Sequence, residues 1–588
     1  MHRPISFFRL PSLTGVAPNR WDLVLLPLVI AALFLFAWAT QQMAAPYVPG
    51  RPLPLSLDPS NLPGYALRTT MRMLLAMLAS LVFTFVYGGL AAKSARAERV
   101  LIPMLDILQS VPILGFMSIT VVGFLKLFPG SLLGPEFAAV FAIFTSQAWN
   151  MAFSFYASLR MIPTDLYEVA RAYRLSAWQR FWRLEAPYAV PALVWNAMMS
   201  VAGGWFFVVA AEAISVEGFD IDLPGIGSFI ALAIHQQDIA AIGWAVLAML
   251  LVILATDQLV FRPLVAWSER YRFEFTASPV VARSWLLDLL RRSRLARLLP
   301  GVITLPWDFS LRTLRRLPRM PLRPLRRRVG RIVRRGERLF DRALDRGWSF
   351  LIVGVAVVAT VLLARFVRSE VAYDEIAQVF LLGLFTGLRV IVLIMLATVV
   401  WVPIGVWIGL NPSLTRRVQP FVVFLAAFPA NLVFPLAVSG IVAWRLNPEI
   451  WLSPLMILGT QWYILFNVIG GAAALPADLK EAAASLGLRR WQIWRRVLLP
   501  AVFPNYVTGG LTASGGAWNA SVVAEVVSWG AITLQASGIG AYIAQQTTAG
   551  DHPRIALGVS VMSLYVLVLN RALWERLYRL ARSRFTFI

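Results

Sequence analysis

The sequence predicts an all-α integral membrane protein, with about twelve transmembrane helices in two tandem halves of the same topology. Of its 588 residues, 59% are hydrophobic and only 14% are charged, whereas soluble domains are about 45–50% apolar and about 25% charged. Long apolar runs recur along the chain, and a spanning helix needs roughly 20 such residues. The same residue types also recur at a fixed separation, which predicts the two halves.

Six apolar stretches precede residue 265 and six follow residue 347. They lie near residues 22–42, 68–92, 100–128, 133–158, 190–215 and 240–262, and near 348–367, 377–409, 418–445, 450–474, 501–527 and 554–575. We interpret the first stretch as a retained span rather than a cleaved signal peptide, because it is long enough to cross a bilayer.

The charge distribution predicts the orientation, because basic residues near spans mark the cytoplasmic side. Both chain ends are basic, and the segment from Arg262 to Arg346 carries 22 Arg against seven Asp and Glu. We therefore expect a multi-pass protein of the bacterial inner membrane with both termini in the cytoplasm. The predicted domains are a cytoplasmic N-terminus at 1–21, a first half at 22–265, an Arg-rich cytoplasmic connector at 266–346 and a second half at 347–588.

The composition excludes several kinds of chemistry. There is no cysteine and there are only three histidines, so we expect no thiolate metal site, no other metal centre and no His-based catalytic residues. None of the three lysines follows a glycine, as the lysine of a phosphate-binding P-loop does. We therefore expect no cofactor in this chain and no enzyme activity of its own, so that ATP hydrolysis belongs to a partner.

An internal repeat covers most of both halves. Residues of the first half recur 313 positions later without a gap over about ninety residues, and the separation becomes 317 further upstream. The repeat pairs Trp205 with Trp518, Glu212 with Glu525, Gly225 with Gly538, Gly227 with Gly540 and Arg72 with Arg389. Parallel repeats in a membrane are related by an axis along the membrane normal, as in several transporter folds. The duplication therefore favours transport, although a scaffold has the same symmetry.

A charged stretch between two apolar runs occurs once in each half. The second-half stretch is "LKEAAASLGLRRWQIWRRVLLP", which begins at Leu479. Asp478, just before it, and Glu481 form an N-cap pattern, and Gly487 supplies a left-handed stop. We predict a short helix, a tight turn and a second helix within 476–500. The copy within 163–187, "LYEVARAYRLSAWQRFWRLEAP", predicts the same arrangement on the cytoplasmic side.

These residues resemble the EAA loop of permease subunits of ABC importers, the binding-protein-dependent permeases. The sequence further resembles the nitrate/sulfonate/bicarbonate, or taurine-type, group of these permeases, in a duplicated and fused form. The resemblance implies an ATPase-coupling role for nine residues: Glu168, Ala170, Arg174, Pro187, Glu481, Ala482, Ala483, Gly487 and Pro500. It also implies two copies of a cytoplasmic ABC ATPase that bind ATP and Mg, a periplasmic or lipid-anchored substrate-binding protein, and inward movement of a small anion by alternating access.

The first EAA loop departs from the family pattern. Arg174 stands where the pattern has glycine, and Val169 replaces an alanine. A residue with a Cβ atom in a left-handed turn costs about 1 kcal/mol. We therefore expect the first hairpin to turn differently from the second.

Seven residues are candidates for the transport path: Arg72, Arg389, Trp205, Trp518, Asn519, Glu212 and Glu525. Charges inside spans are rare and point to function. The two arginines either line an anion path or extend to the lipid headgroups. For the two glutamates a structural, hydrogen-bonded role near the outer mouth is favoured, because a carboxylate repels an anion.

The Arg-rich connector reads as amphipathic helices on an anionic lipid surface rather than as a nucleic-acid site, since no aromatic stacking platform accompanies the charge. Three other functions stay open for the chain as a whole: import of another small solute, an ATP-independent carrier or channel, and a membrane scaffold.

Overall fold

The computed structural model describes residues 19–48, 53–113, 117–216, 219–271, 284–293, 354–355, 357–475, 479 and 485–584. Throughout these ranges the chain is almost entirely helical, so the predicted fold class is confirmed. Most of the connector at 266–346 lies outside the described residues, as do Glu481, Ala482 and Ala483 of the second EAA loop.

The first half contains long helices joined by short turns. Its elements are α1 Asp22–Met43, α2 Leu62–Lys93, α3 Ala95–Ser110, α4 Met117–Leu127, α5 Leu133–Arg160, α6 Thr164–Ala172, α7 Ala177–Arg180, α8 Ala186–Glu212, β1 Ala213–Val216, β2 Phe219–Asp222, α9 Ile226–His235, α10 Ile239–Thr256 and α11 Arg262–Ser268. The connector that follows contains α12 Trp285–Arg292.

The second half follows a helical stretch at 357–368. Its elements are α13 Tyr373–Gly409, α14 Pro412–Ala427, α15 Phe434–Ala443, α16 Pro448–Trp451, α17 Ser453–Leu458, α18 Gln461–Ala473, α19 Arg490–Ile493, α20 Leu499–Ala524, β3 Val526–Trp529, β4 Ile532–Gln535, α21 Ile539–Ala549, α22 His552–Leu569 and α23 Glu575–Arg584.

Six helical segments in the described ranges are long and apolar enough to cross a membrane, and two bent helix pairs bring the number to eight. The bends are 73° between Pro412–Ala427 and Ala430–Ala443, and 42° between Pro448–Leu458 and Gln461–Ala473. The helices α3, α4, α5 and α20, which lie within the predicted stretches near 100–128, 133–158 and 501–527, do not meet the same criterion. The protein is therefore a multi-pass membrane protein, while twelve spans stay a prediction.

The repeat is present at the level of whole elements. α10 and α22 begin and end at positions that differ by 313, as do β1 and β3, and β2 and β4. Two π-helical turns repeat at the same separation; they are Phe181–Glu185 with Trp494–Leu498, and Asp257–Phe261 with Asn570–Trp574. Because π-turns are rare, their recurrence at the predicted offset supports a tandem duplication.

The two β-hairpins were not predicted. Each follows the end of a long helix, with β1 antiparallel to β2 and β3 antiparallel to β4. Their sequences continue the apolar run of the preceding helix, so periodicity alone extended the predicted spans to 215 and 527. The β-branched residues at Ile214, Val216, Val526 and Val527 are the signal that favours strand.

Glycines let the helices of each half approach closely. In the first half a Cβ atom at Gly88 would lie 3.0 Å from the carbonyl oxygen of Ala152. In the second half a Cβ atom at the equivalent Gly405 would lie 2.8 Å from the Val468 side chain. Small residues at such contacts allow membrane helices to pack by direct backbone approach.

The described chain divides into two compact units, one combining Met1–Trp38 with Asp257–Val361, and one combining Ala39–Thr256 with Leu362–Ile588. In the first unit, the amphipathic helix α12 packs Leu286 and Leu289 against Leu25. Asn19 donates a hydrogen bond to the carbonyl oxygen of Arg292 at 2.7 Å. The described part of the Arg-rich connector is thus attached to the beginning of α1.

Candidate functional site

The first EAA-like segment folds as the predicted helical hairpin. α6 ends at Ala172, Ser176 caps α7 in a reciprocal capping box with Gln179, and a π-turn leads directly into α8. Glu168 is exposed, whereas Ala170 is buried. Pro187 is the second residue of α8, directly after the π-turn.

The turns of the two hairpins have the same backbone conformation. Arg174 has φ of 50° and Gly487 has φ of 61°, so both residues are left-handed. The Leu175 N–H donates to the carbonyl oxygen of Ala170 at 3.0 Å, which is the bond that closes a Schellman-type helix end. The expectation that the first hairpin turns differently is therefore wrong. Arg174 adopts the glycine conformation, at a cost of about 1 kcal/mol.

A cluster of charges fastens the first hairpin to the end of α2. The Glu185 carboxylate is nearly inaccessible and lies 2.8 Å from Lys93 Nζ and 2.9 Å from Arg180 Nε. The Lys93 ammonium also sits 4.5 Å from the ring centroid of Phe181, a cation–π contact. We call Lys93, Arg180 and Glu185 the hairpin anchor.

The second half replaces the hairpin anchor with apolar residues. The repeat offsets place Leu410, Ile493 and Leu498 at the three equivalent positions. The two turns therefore share a left-handed residue, but the residues at the anchor positions differ in kind. In the first half a buried acid contacts two partly exposed cations, and in the second half the position of that acid holds the buried apolar residue Leu498.

At the other end of the same helices, Arg72 lies in a buried charge cluster. Its guanidinium makes a bidentate contact with Glu136, with Nε to Oε2 at 2.6 Å and Nη2 to Oε1 at 2.7 Å. Its Nη1 donates to Glu212 Oε1 at 2.6 Å, and Nη2 donates to the Pro224 carbonyl at 3.1 Å. The Arg72 side chain has no exposed surface. Such fork-to-carboxylate pairs are among the strongest charge-assisted hydrogen bonds.

The glycines of the repeated Gly-x-Gly stretch are required by this cluster. Glu212 Oε2 accepts a hydrogen bond from the Gly227 N–H at 2.7 Å. A Cβ atom at Gly225 would lie 2.3 Å from the Glu212 carboxyl carbon, and one at Gly227 would lie 2.2 Å from the Val209 carbonyl oxygen. The carboxylate thus occupies space that any side chain would fill, so the Glu–Gly-x-Gly order follows from sterics.

The second half builds the same cluster around Arg389. Its Nη1 donates to Glu525 Oε1 at 3.2 Å and its Nη2 to Glu449 Oε2. Thr386 donates to Glu525 at 2.7 Å and accepts from the Ile539 N–H at 3.0 Å, as Thr69 accepts from the Ile226 N–H at 3.1 Å in the first half. A Cβ atom at Gly538 would again meet the glutamate carboxyl group, at 2.2 Å.

The two clusters differ in their access to solvent. The Arg72 side chain is 0% exposed and its partner Glu136 is 2% exposed, whereas Arg389 is 15% exposed and Glu449 is 44% exposed. In the second cluster the Ser537 hydroxyl and N–H both donate to Glu449 Oε1, at 2.6 and 2.9 Å. The first cluster is thus a closed core, and the second opens on one side.

The structure engages both candidate pathway arginines with carboxylates. Arg72 reaches neither a surface nor a headgroup in this conformation, because each of its donors faces Glu136, Glu212 or Pro224. Glu212 and Glu525 have the hydrogen-bonded surroundings that the sequence favoured, and both side chains are buried. That any of these residues acts in transport stays a prediction.

Sequence reasoning missed Glu136 and Glu449, the second acid of each cluster. They differ by the repeat separation of 313 and lie near the beginning of equivalent helical segments. A search for every repeated charge would have found them. Trp205 and Trp518 are both 2% exposed and are core residues; the Trp518 ring stacks on Tyr565 with centroids 6.3 Å apart.

The two halves also contact each other through equivalent loops. Asn519 Oδ1 in α20 accepts a hydrogen bond from the Ile113 N–H of the first half at 2.9 Å. In the symmetric place, Asn431 Nδ2 donates to the Phe206 carbonyl in α8 at 3.4 Å. Phe206 and Asn519 are themselves related by 313 positions. The loop after α3 thus contacts α20, and the loop after α14 contacts α8.

Comparison with known proteins agrees with this duplicated arrangement. The family model described as "Binding-protein-dependent transport system inner membrane component" matches residues 84–262 and again residues 401–582. The chain belongs to this family. Each match covers a charged hairpin, the long helix that follows it and the Glu–Gly-x-Gly order.

Individual relatives resemble the chain over part of its length. The Nitrate import permease protein NrtB of Leptolyngbya laminosa is 28% identical over 182 residues, which cover 31% of this chain and 62% of that protein. The Bicarbonate transport system permease protein CmpB of Synechococcus elongatus is 29% identical over 179 residues, covering 30% and 60%. A putative ABC transporter permease protein of Methanocaldococcus jannaschii is 28% identical over 185 residues, covering 32% and 66%. The chain thus spans about three fifths to two thirds of these relatives.

Proposed function

We propose that the chain supplies two transmembrane domains of an ATP-driven importer for a small oxyanion of the nitrate or bicarbonate class. Two findings support the proposal: the family model matches both halves, and two of the relatives are named as a nitrate import permease and a bicarbonate transport system permease. The protein lies in the bacterial inner membrane, with both termini in the cytoplasm on the side of the basic residues.

In this proposal the helical hairpins couple the chain to two copies of a separate cytoplasmic ATPase, which bind ATP and Mg. The observation that carries it is the pair of left-handed turns at Arg174 and Gly487, each followed by a π-turn that continues into a long helix. A rigid continuous helix transmits displacement along its axis. From Glu185 to Glu212 this path is about 40 Å long, at 1.5 Å per residue.

The same helices link the hairpins to the buried charge clusters. From Lys93 of the hairpin anchor to Arg72 is 21 residues along α2, which is about 30 Å and matches the hydrocarbon thickness of a bilayer. A push on the hairpin from the cytoplasm therefore reaches the opposite membrane face through α8 and α2. This geometry suits alternating access, with a substrate-binding protein delivering the anion from outside.

The proposal is tested with the chain reconstituted in vesicles together with its ATPase. Gly487→Val forces a β-branched side chain into a left-handed turn. We expect it to abolish substrate-stimulated ATP hydrolysis while membrane insertion is unchanged; wild-type stimulation in this variant contradicts the coupling role.

A P-loop variant of the ATPase should stop uptake of labelled nitrate and bicarbonate, whereas continued uptake identifies an ATP-independent carrier. Absence of uptake of any tested anion by the wild-type complex points to a scaffold or to another solute.

A further inference from the structure

The equivalent helices α8 and α20 present chemically different surfaces to the opposite half. On α20 the residues that share a face with Asn519 are Thr508, Thr512 and Gly515, spaced as successive turns of a helix. We call these four residues the polar stripe. At the equivalent positions α8 carries Trp195, Met199, Ala202 and Phe206. A polar face on one spanning helix and an apolar face on its repeat mate is a departure from the twofold pattern.

The apolar face of α8 is in contact with the second half. Trp195 stacks on Phe466 with ring centroids 5.4 Å apart, and Met199 packs on the cluster that contains Phe466 and Ile469. α8 also packs along α14. Hydrophobic contacts thus join the two halves on this side of the junction, although the Trp195 side chain itself stays 41% exposed.

The polar stripe of α20 has no comparable cover within the described residues. Thr508 and Thr512 are exposed, and a Cβ atom at Gly515 would have nothing within 4 Å. Phe153, the repeat mate of Phe466, is 45% exposed where Phe466 is 5% exposed. In the part of the chain that the structure describes, α20 does not pack on α3 as α8 packs on α14. Among the described residues, the junction is therefore more open on this side.

The orientation of the polar stripe is fixed at one end. Asn519 accepts the hydrogen bond from the Ile113 N–H of the first half, so the face that contains the stripe turns toward the first half. A hydroxyl-bearing face directed at hydrocarbon gains nothing from lipid, whereas the same face suits a water-filled path.

The stripe offers hydrogen-bond donors that a passing solute can use. The Thr512 hydroxyl donates to the Thr508 carbonyl at 3.0 Å, and Thr508 donates to the Pro504 carbonyl at 3.2 Å. Asn519 Nδ2 donates to the Gly515 carbonyl at 3.1 Å and has a second hydrogen. These side-chain bonds duplicate bonds of the helix itself, so the hydroxyls can rotate toward a ligand at little cost.

We propose that the polar stripe of α20 is the substrate-contacting wall of a one-sided path, which binds a small oxyanion through neutral hydrogen-bond donors rather than through arginine. The arginines of both charge clusters are already neutralised by carboxylates. Neutral donors hold an anion weakly enough for release, which conduction requires. The identity of the anion in this assignment rests on the proposed function. Whether the stripe is accessible to water is tested without measuring transport.

The absence of cysteine makes the test direct. Thr508→Cys, Thr512→Cys and the control Leu564→Cys, whose parent side chain is 47% exposed on the apolar helix α22, are each reacted with a membrane-impermeant methanethiosulfonate in the assembled complex. We expect the two stripe positions to react at least about tenfold faster than position 564. Nitrate or bicarbonate should slow that reaction, and gluconate at equal ionic strength should not. Reaction no faster than at position 564, or without protection by either anion, overturns the proposal.

Conservative variants supply a second readout. Thr512→Val keeps the shape and removes the donor, and we expect it to raise the KM for uptake about tenfold with little change in kcat, while Thr512→Ser stays near wild type. The matched control is Thr256→Val, because the Thr256 hydroxyl also bonds a carbonyl of its own helix but is buried in α10. An unchanged KM in Thr512→Val overturns the stripe assignment even if uptake proceeds. Protection of the cysteines by nitrate without ATP-driven uptake upholds the stripe and defeats the proposed function.

Discussion

The first and second halves of the permease have the same framework but differ in three local features. The first half has a fully buried charge cluster, an ionic hairpin anchor and an apolar face on α8. The second half has a partly open charge cluster, apolar residues at the anchor positions and the polar stripe on α20. Features that repeat are those that define the fold. Those that differ lie at the hairpins, at the charge clusters and along the junction, where a chain with two fused halves does not need the halves to be identical.

Removing the guanidinium of each cluster should give the largest effects on stability, and the effect should differ between the two halves. Arg72→Gln leaves Glu136 and Glu212 buried without a cation, and breaking a buried pair costs about 3–5 kcal/mol. We expect little assembled protein and a strongly lowered Tm in detergent. Arg389→Gln should be milder, because Arg389 and Glu449 reach solvent.

Arg416→Gln is the control for these two variants, since Arg416 is exposed on α14. If Arg72→Gln and Arg389→Gln lower the Tm equally, the difference in burial between the two clusters has no energetic consequence. If Arg72→Gln has normal stability but loses uptake, Arg72 acts in the transport path.

Adding a methyl group beside the glutamates should destabilise both halves alike. Gly225→Ala and Gly538→Ala place Cβ 2.3 and 2.2 Å from the carboxyl groups of Glu212 and Glu525, which forces a cluster to move; overpacking of this kind typically costs about 1–3 kcal/mol. Gly243→Ala and Gly470→Ala are matched controls, since nothing lies within 4 Å of their Cβ positions. Thermal unfolding of the four variants checks this, and equal Tm values would contradict the steric reading.

The hairpin anchor can be exchanged between the halves. Glu185→Leu alone removes the acid and leaves Lys93 and Arg180 without their partner, so we expect reduced coupling of ATP hydrolysis to substrate. The triple change Lys93→Leu, Arg180→Ile and Glu185→Leu copies the second half and should restore coupling. It should also make coupling less dependent on salt, because Lys93 and Arg180 are partly exposed and screened by ions. A triple variant as defective as the single one would show that the charges themselves are needed.

The smallest effect concerns the left-handed turns. Arg174→Gly relieves the backbone strain at φ of 50°, and Gly487→Ala introduces a Cβ atom at φ of 61°. We expect shifts of about 1 kcal/mol in opposite directions, measured as protease resistance of the hairpins in the assembled complex. Opposite shifts of similar size support the equivalence of the two turns, and a destabilised Arg174→Gly variant would contradict it.

Much of this arrangement was readable from the sequence. The separation of 313 residues predicted that the elements from α7 to α10 recur as the elements from α19 to α22. A duplicated sequence with the same spacing folds twice in the same way. The structural role favoured for Glu212 and Glu525 also agrees with their hydrogen bonds to Gly227 and Thr386. These inferences depend on local pattern and on identity between the halves.

The partners of Arg72 and Arg389 were not readable in the same way. Glu136 is 64 positions from Arg72, and Glu212 is 140 positions away, so only tertiary packing brings the three side chains together. The hairpin turn was misread for a different reason. A left-handed Arg174 contradicts local preference, and its surroundings override that preference because the Schellman-type bonds satisfy the end of α6.

The π-turns record the order in which the permease acquired its features. A π-turn contains one more residue than a regular helical turn, and the turns at Phe181–Glu185 and Trp494–Leu498 share the 313-residue spacing. The extra residue was therefore present in a single-half ancestor before its gene duplicated. In a homodimer of such an ancestor, any substitution would appear on both copies of the helix at once. In the duplicated chain the two copies vary separately, and Thr508 stands where the first half has Trp195.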